Sequence, residues 1–243
     1  MSKIHPSSGN NLLLREKEEE DMRPCMLTVW KRSSMSFQGT DGFTVFDKQG
    51  RLVFRVDNYS RSSRCVAAGG LLLMDGAGNA LLSLKPQPQI MSMQYQWSGY
   101  REEDGCGKIK RSSSSSSSGM SKVFIMRSSS LLFKDGAAEV FMMGSDSGPT
   151  RRRKQAQHSS SSTPPDFKIE GCFRSRNCSI RTANGDLVAK IARKRAANST
   201  ILLTDDVFTL VVHPGYGTDL VMAFVVILDR ISSKPYTPVF LCS

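Results

Sequence analysis

Leu220 to Leu228 is a run of nine residues with no polar member, and no other segment restricts the fold as much. Thr218 or Asp219 just ahead of it can cap a helix, and an acid there suits the positive end of the helix dipole. Nine residues rise about 14 Å as helix, roughly half a bilayer core. A helix apolar on every side and too short to span a membrane must be enclosed by protein. The run also exceeds the usual length of a core strand, which favours helix.

What surrounds it can only be sheet. Short segments rich in β-branched and aromatic residues recur along the chain: Met26–Trp30, Phe43–Phe46, Leu52–Val56, Leu72–Met74, Leu81–Leu84, Tyr95–Tyr100, Lys122–Met126 and Glu139–Met143. Phe167–Cys172, Cys178–Ile180, Leu187–Ile191, Ile201–Leu203 and Val207–Val212 continue the series. In Leu52–Val56, residues Leu52, Phe54 and Val56 fall on one face and Arg55 on the other, as in a half-buried strand. No alternation of strand and helix appears, so a parallel nucleotide-binding sheet is disfavoured. About a dozen strands around one hydrophobic helix predict a mainly β fold, a closed antiparallel barrel about a central C-terminal α-helix. Closure also leaves no exposed sheet edge.

One phrase repeats. Phe46-Asp47 with Gly50, Leu52-Val53 and Val56 is followed by Met74-Asp75 with Gly78, Leu81-Leu82 and Leu84. It returns as Cys178–Ile180, Asn184-Gly185, Leu187-Val188 and Ile191. Each reads as strand, tight turn, strand, the glycine taking the positive φ that closes a hairpin. The recurrence suggests an internal duplication.

Hydrophobic residues make up only 39% of the 243-residue chain, and serine takes about 35 positions. The dilution is local. Ser112–Ser118 follows Arg111, and the stretch 144–165 holds Arg151–Lys154 and Ser159–Ser162. Such segments bury too little apolar surface to offset the entropy of ordering. The expected organisation is a disordered tail over 1–22, one barrel domain over 23–231 with disordered insertions near 102–119 and 144–165, and a tail over 232–243. The N-terminal stretch is polar and then acidic, without a secretory h-region, and no stretch of about 18 apolar residues offers a transmembrane helix. A cytoplasmic chain is expected, membrane-peripheral or nuclear depending on how its basic clusters act. Cys25, Cys65, Cys106, Cys172, Cys178 and Cys242 form no C-x-x-C pair, so no zinc ribbon is expected, and mostly buried free thiols are.

Several longer phrases resemble a known family. Leu27-Thr28-Val29-Trp30-Lys31, Asp41 to Asp47, Leu52 to Tyr59 and Leu72 to Asp75 are similar to the plant LURP-one-related proteins. Asp205 to Val212, Pro214-Gly215-Tyr216 and the terminal apolar helix match the same family's C-terminal half. The resemblance covers about residues 24–231. It implies a Tubby C-terminal-like fold, a twelve-stranded barrel around a central helix shared with phospholipid scramblases. It also implies, loosely, a role in plant defence. The superfamily suggests membrane-tethered regulators or lipid handling, and a fold alone is a weak warrant for either.

Catalysis has little support, and a non-enzymatic module without cofactor or metal is expected. His5 lies in the tail and His158 in the basic, serine-rich loop, where nothing rigid would orient a base. His213 reads as a structural histidine between the last strand and the helix. Gly69-Gly70 and Gly76-Ala77-Gly78 lack the strand-to-helix context of a phosphate loop. The chain carries a net charge of +11, and two basic clusters stand out. Lys190, Arg193, Lys194 and Arg195 end a strand and suit anionic phospholipid headgroups at a membrane surface. Arg151, Arg152, Arg153 and Lys154 suit nuclear import or nucleic-acid contact. Phosphorylation of the neighbouring serines would cancel the charge of such a loop. Scramblase activity is disfavoured, because the one hydrophobic helix is short and expected to be buried.

Overall fold

The computed structural model describes residues 22–32, 42–57, 70–87, 95–102, 119–129, 137–144, 164–196 and 201–233. Most of the expected tails and insertions, Arg151–Lys154 included, lies outside these residues; of the expected C-terminal tail, Ser232 and Ser233 are described and belong to the helix. Twelve strands and one helix occur among the described residues. They are β1 (Cys25–Arg32), β2 (Gly42–Phe46), β3 (Leu52–Asp57), β4 (Leu71–Asp75), β5 (Ala80–Pro86) and β6 (Gln96–Glu102). Then follow β7 (Met120–Ser128), β8 (Ala138–Met142), β9 (Phe167–Cys172), β10 (Asn177–Thr182), β11 (Leu187–Arg193), β12 (Val207–Val212) and α1 (Thr218–Ser233).

Every strand pairs antiparallel with its neighbours in sequence, and β12 returns to β1, so the barrel closes. Alternation builds the wall: Phe54 and Val56 point inward with Leu71 and Leu73, while Val53 and Arg55 face out. The helix fills the interior. Val221 is 2% exposed, and every residue from Met222 to Leu228 is fully buried. Each large aliphatic side chain so enclosed contributes roughly 1.5–3 kcal/mol of gross hydrophobic stabilisation. Phe224 makes aromatic contact between helix and wall, edge-on to Phe124 at 4.9 Å and 5.7 Å from the Phe167 ring.

The helix begins one residue earlier than its sequence signals suggest. The Gly217 carbonyl accepts the first helical bond from Val221 N–H at 3.1 Å, so Gly217 occupies the cap and Thr218 is already helical. Asp219 instead accepts a bond from Arg101 Nη2 at 2.6 Å. At the other end of the helix, Arg174 Nη2 donates to the Ser232 carbonyl at 3.1 Å, which places a cation on the negative end of the dipole.

The three repeated phrases form the same turn. Gly50, Gly78 and Gly185 have φ of 78°, 97° and 93°, and their N–H groups bond back to Asp47, Asp75 and Thr182 at 3.1, 3.1 and 3.0 Å. Asp47 Oδ1, Asp75 Oδ1 and Thr182 Oγ1 then accept from the N–H four residues on, at 2.9, 2.8 and 3.1 Å. Threonine therefore replaces aspartate in the third turn, because a single side-chain acceptor meets the requirement. A six-strand repeat would relate hairpin β4–β5 to β10–β11. The phrases ending in Gly50-x-Leu52-Val53 and Gly185-x-Leu187-Val188 lie eight strands apart, so their likeness is one of turn chemistry.

Two expectations are corrected. Ile201–Leu203 is not a barrel strand; Leu202 makes a single bridge to Arg195 in a short hairpin beyond the wall, since the closed ladder already occupies both sides of β11 and β12. Of the described cysteines only Cys178 is buried; Cys25 is exposed and Cys172 half-buried, because they sit at strand ends rather than at inward positions.

Candidate functional site

A closed antiparallel barrel sends alternate connections to opposite ends. The turns at Asp47–Gly50, Asp75–Gly78 and Thr182–Gly185 lie where the helix enters, with the β6–β7 and β8–β9 connections. The β9–β10 turn, the β11–β12 connection and the helix C-terminus lie at the far end.

The far end gathers charge. Asp229, with its side chain 5% exposed, accepts from Lys31 Nζ at 2.9 Å. Arg176 fills the φ-positive position of the β9–β10 turn, at 54°, where the other three hairpins place glycine. Its guanidinium carbon stands 4.3 Å from the Phe173 ring centre and 4.4 Å from that of Phe208. Its Nε donates to the Asp205 carbonyl at 2.8 Å. Burial lowers the Arg176 pKa, opposed by the nearby Asp229, Asp205 and Asp206 carboxylates. Arginine stays protonated in proteins, so this is a structural cation at the mouth of the barrel. Sequence reasoning missed it, since arginine carries no signal for a left-handed turn position.

The strand-end cluster does not fan outward as one unit. Arg193 Nη2 is tied to Asp205 Oδ1 at 2.7 Å. Lys194 Nζ lies back over the wall and donates to Thr28 Oγ1 at 2.9 Å, two strands away. Lys190 and Arg195 are exposed, with no ion-pair partner among the described residues. Lys190 and Lys194 thus share the outer wall of β11, β12 and β1, while Arg193 belongs to the rim.

The wall around them has a single sign. β10, β11, β12, β1 and β2 are consecutive around the barrel. Their sequences, NCSIRT, LVAKIAR, VFTLVV, CMLTVWKR and GFTVF, contain no Asp or Glu. They supply Arg181, Lys190, Arg193, Lys31 and Arg32. Five of the other seven strands each carry an acid: Asp57, Asp75, Glu102, Glu139 and Glu170. Only closure of the barrel brings the first two strands beside the last three, so the acid-free sector is invisible until the topology is known.

His213 is half-buried, and its backbone N–H bonds to the Val188 carbonyl at 2.8 Å. No group of three His, Cys, Asp or Glu side chains suited to a metal occurs among the described residues. No described helix is long and apolar enough to cross a membrane.

Fold and surface together define a β-barrel plugged by its own C-terminal helix, with one acid-free basic sector on its wall. The LURP-one-related family model matches residues 26–229. The chain therefore belongs to the LURP-one-related family. Among Arabidopsis thaliana proteins, it is 33% identical to LURP-one-related 5 over 84% of this chain and 82% of that one. It is 31% identical to LURP-one-related 17 over 85% and 83%. LURP-one-related 8 matches at 26% over 95% of this chain and 97% of its own length. These names describe no enzymatic activity. A crystal structure of an Arabidopsis thaliana protein shares the fold, with a TM-score of 0.50 and 17% identity over 86% of this chain and 92% of that one.

Proposed function

We propose that this chain is a non-enzymatic binding module whose basic sector meets anionic phospholipid at a membrane surface. The observation that carries the reading is the run of five adjacent strands without a carboxylate, which leaves Lys190, Lys194 and Arg181 facing outward with no acid of their own wall to neutralise them. Near an anionic surface each basic residue contributes roughly 1 kcal/mol, within about a Debye length. The barrel already orders the backbone that carries these cations, so no further backbone entropy opposes their joint use. Arg193 contributes less to this attraction than the strand-end cluster suggests, because Asp205 neutralises it. Lipid transport through the fold is disfavoured, since the helix occupies the barrel interior.

The test is flotation of the full chain with phosphatidylcholine vesicles containing phosphatidylserine or a phosphoinositide, at low and high salt. Binding is expected at low salt and should weaken as salt rises. Lys190→Gln should reduce partition about fivefold at low salt, from the roughly 1 kcal/mol per cation above. Absence of flotation at low salt overturns the reading. The alternative, a nuclear or transcription-associated role for Arg151–Lys154, rests on that basic run. Neutralising those four residues should then abolish nuclear accumulation while leaving flotation unchanged.

A further inference from the structure

The acid-free sector also carries the two most exposed large apolar side chains of the described strands. Trp30 is 48% and Met26 43% exposed, both on the outer face of β1. Four residue steps along the strand separate them by about 13 Å. Between them Thr28 pairs with Phe46, which pairs in turn with Leu52, 37% exposed. On the other side Trp30 faces Val207 and Met26 faces Val211 on β12. Val211 in turn pairs with Lys190, and Lys194 reaches Thr28 between the two exposed side chains.

The geometry points to this wall, centred on Trp30 and Met26, as an interfacial anchor that enters the headgroup region of an anionic bilayer, with the barrel lying on its side. The inference rests on the proposed attraction to anionic phospholipid and adds the orientation and the inserting residues. Three features select lipid over a protein partner. The apolar side chains stand as separate tips on a convex wall instead of lining a groove. Tryptophan has an apolar body and a polar N–H, and settles at headgroup depth. The flanking lysines have long apolar stems that let their ammonium groups reach phosphates while the wall sinks.

The chain has two tryptophans, and the other, Trp97, is 5% exposed inside the barrel. Tryptophan emission therefore reports the docking face. In the unmodified chain, phosphatidylcholine–phosphatidylserine vesicles should shift emission to the blue. Lipid brominated near the headgroup end of its chains should quench it. Trp30→Phe, which leaves only Trp97, should lose both effects. Trp30→Ala should lower vesicle partition about tenfold at low and high salt alike, because a half-exposed indole contributes through apolar burial. Lys190→Gln should act chiefly at low salt. Flotation without quenching of Trp30 overturns the orientation and leaves the lipid reading standing. Failure of the unmodified chain to float at low salt overturns both.

Discussion

Lys31 Nζ and Asp229 Oδ1 lie 2.9 Å apart, joining the first strand of the barrel to the last turns of the helix it encloses. An acid near a helix C-terminus opposes the dipole, and this one is buried, so Lys31 is what makes it tolerable. Lys31→Met leaves a buried carboxylate without its ion-pair partner. The expected cost is about 2–3 kcal/mol, below the roughly 3–5 kcal/mol of a fully buried pair because Lys31 retains some solvent. Lys31→Met with Asp229→Leu should recover most of it. Urea unfolding of both single variants and the double variant measures the coupling; additive losses would show that the pair does not act as one.

Gly99 and Phe124 are directly opposed on β6 and β7. A Cβ at Gly99 would fall 2.1 Å from the Phe124 ring, and that ring meets Phe224 edge-on. Gly99→Ala should therefore cost about 1–3 kcal/mol by overpacking. The same substitution in a Phe124→Leu background should cost much less. Equal costs in both backgrounds, read from urea melts, would rule out the ring as the obstacle.

The strands and the helix were legible because each imposes its own period on the residues: alternation in Val53–Val56, an unbroken apolar run in Leu220–Leu228. Leu52 breaks the alternation, because a bulge at Val53 turns it to the outer face and not to the inner one that its spacing predicts. Closure was legible too, since a helix without a polar face needs wall on all sides. The pairings across the chain were not. Nothing local to Lys31 announces Asp229, 198 positions later. Arg193 and Lys194 read alike as surface cations, yet one is held by Asp205 and the other by Thr28. The Trp30–Met26 wall was hidden for the same reason. Its most exposed apolar positions lie on β1 and its cations, Lys190 and Lys194, on β11 and just beyond its end, and they become neighbours only through β12.

Arg176 replaces glycine at a left-handed turn position and is held there by Phe173, Phe208 and the Asp205 carbonyl. The left-handed conformation costs a side-chain-bearing residue on the order of 1 kcal/mol. The two ring contacts and the hydrogen bond outweigh that. Arg176→Gly should thus destabilise by about 1–2 kcal/mol despite relieving the backbone. Arg176→Lys should not rescue it, because an ammonium has neither the planar face that meets these two mutually perpendicular rings nor the Nε–H that reaches the Asp205 carbonyl. A more stable Arg176→Gly protein in thermal melts would show that the stacking is incidental.

Burial pushes the Cys178 thiol up to about 12, with Cys172 raising it further and Arg176 opposing. The thiolate is the reactive form, so native Cys178 should resist iodoacetamide at pH 8 and react once the chain is unfolded in urea. Cys25 is exposed, and its pKa is raised by partial burial against the opposing charge of Lys48; it should react slowly in the native state. Peptide mass analysis separates the two sites. Rapid native labelling of Cys178 would mean that the β9–β10 hairpin opens readily.

The acid limit of stability should be set in part by the hairpin turns. The Asn79 side-chain amide, then its backbone N–H, hold the Asp75 carboxyl below its ordinary 3.8. At Asp47 desolvation raises the carboxyl, but the backbone N–H and guanidinium of Arg51 together bring it below 3.8 as well. A carboxyl depressed in the folded state binds fewer protons there than in the unfolded chain. Its contribution is therefore complete above the unfolded value and is lost as pH falls through the lower folded one. Asp75→Asn keeps a side-chain oxygen for the turn but cannot titrate. Its melting temperature should fall less steeply than that of the unmodified chain between about pH 5 and pH 2. Parallel melting curves over that range would mean that the turn carboxylates do not control acid unfolding.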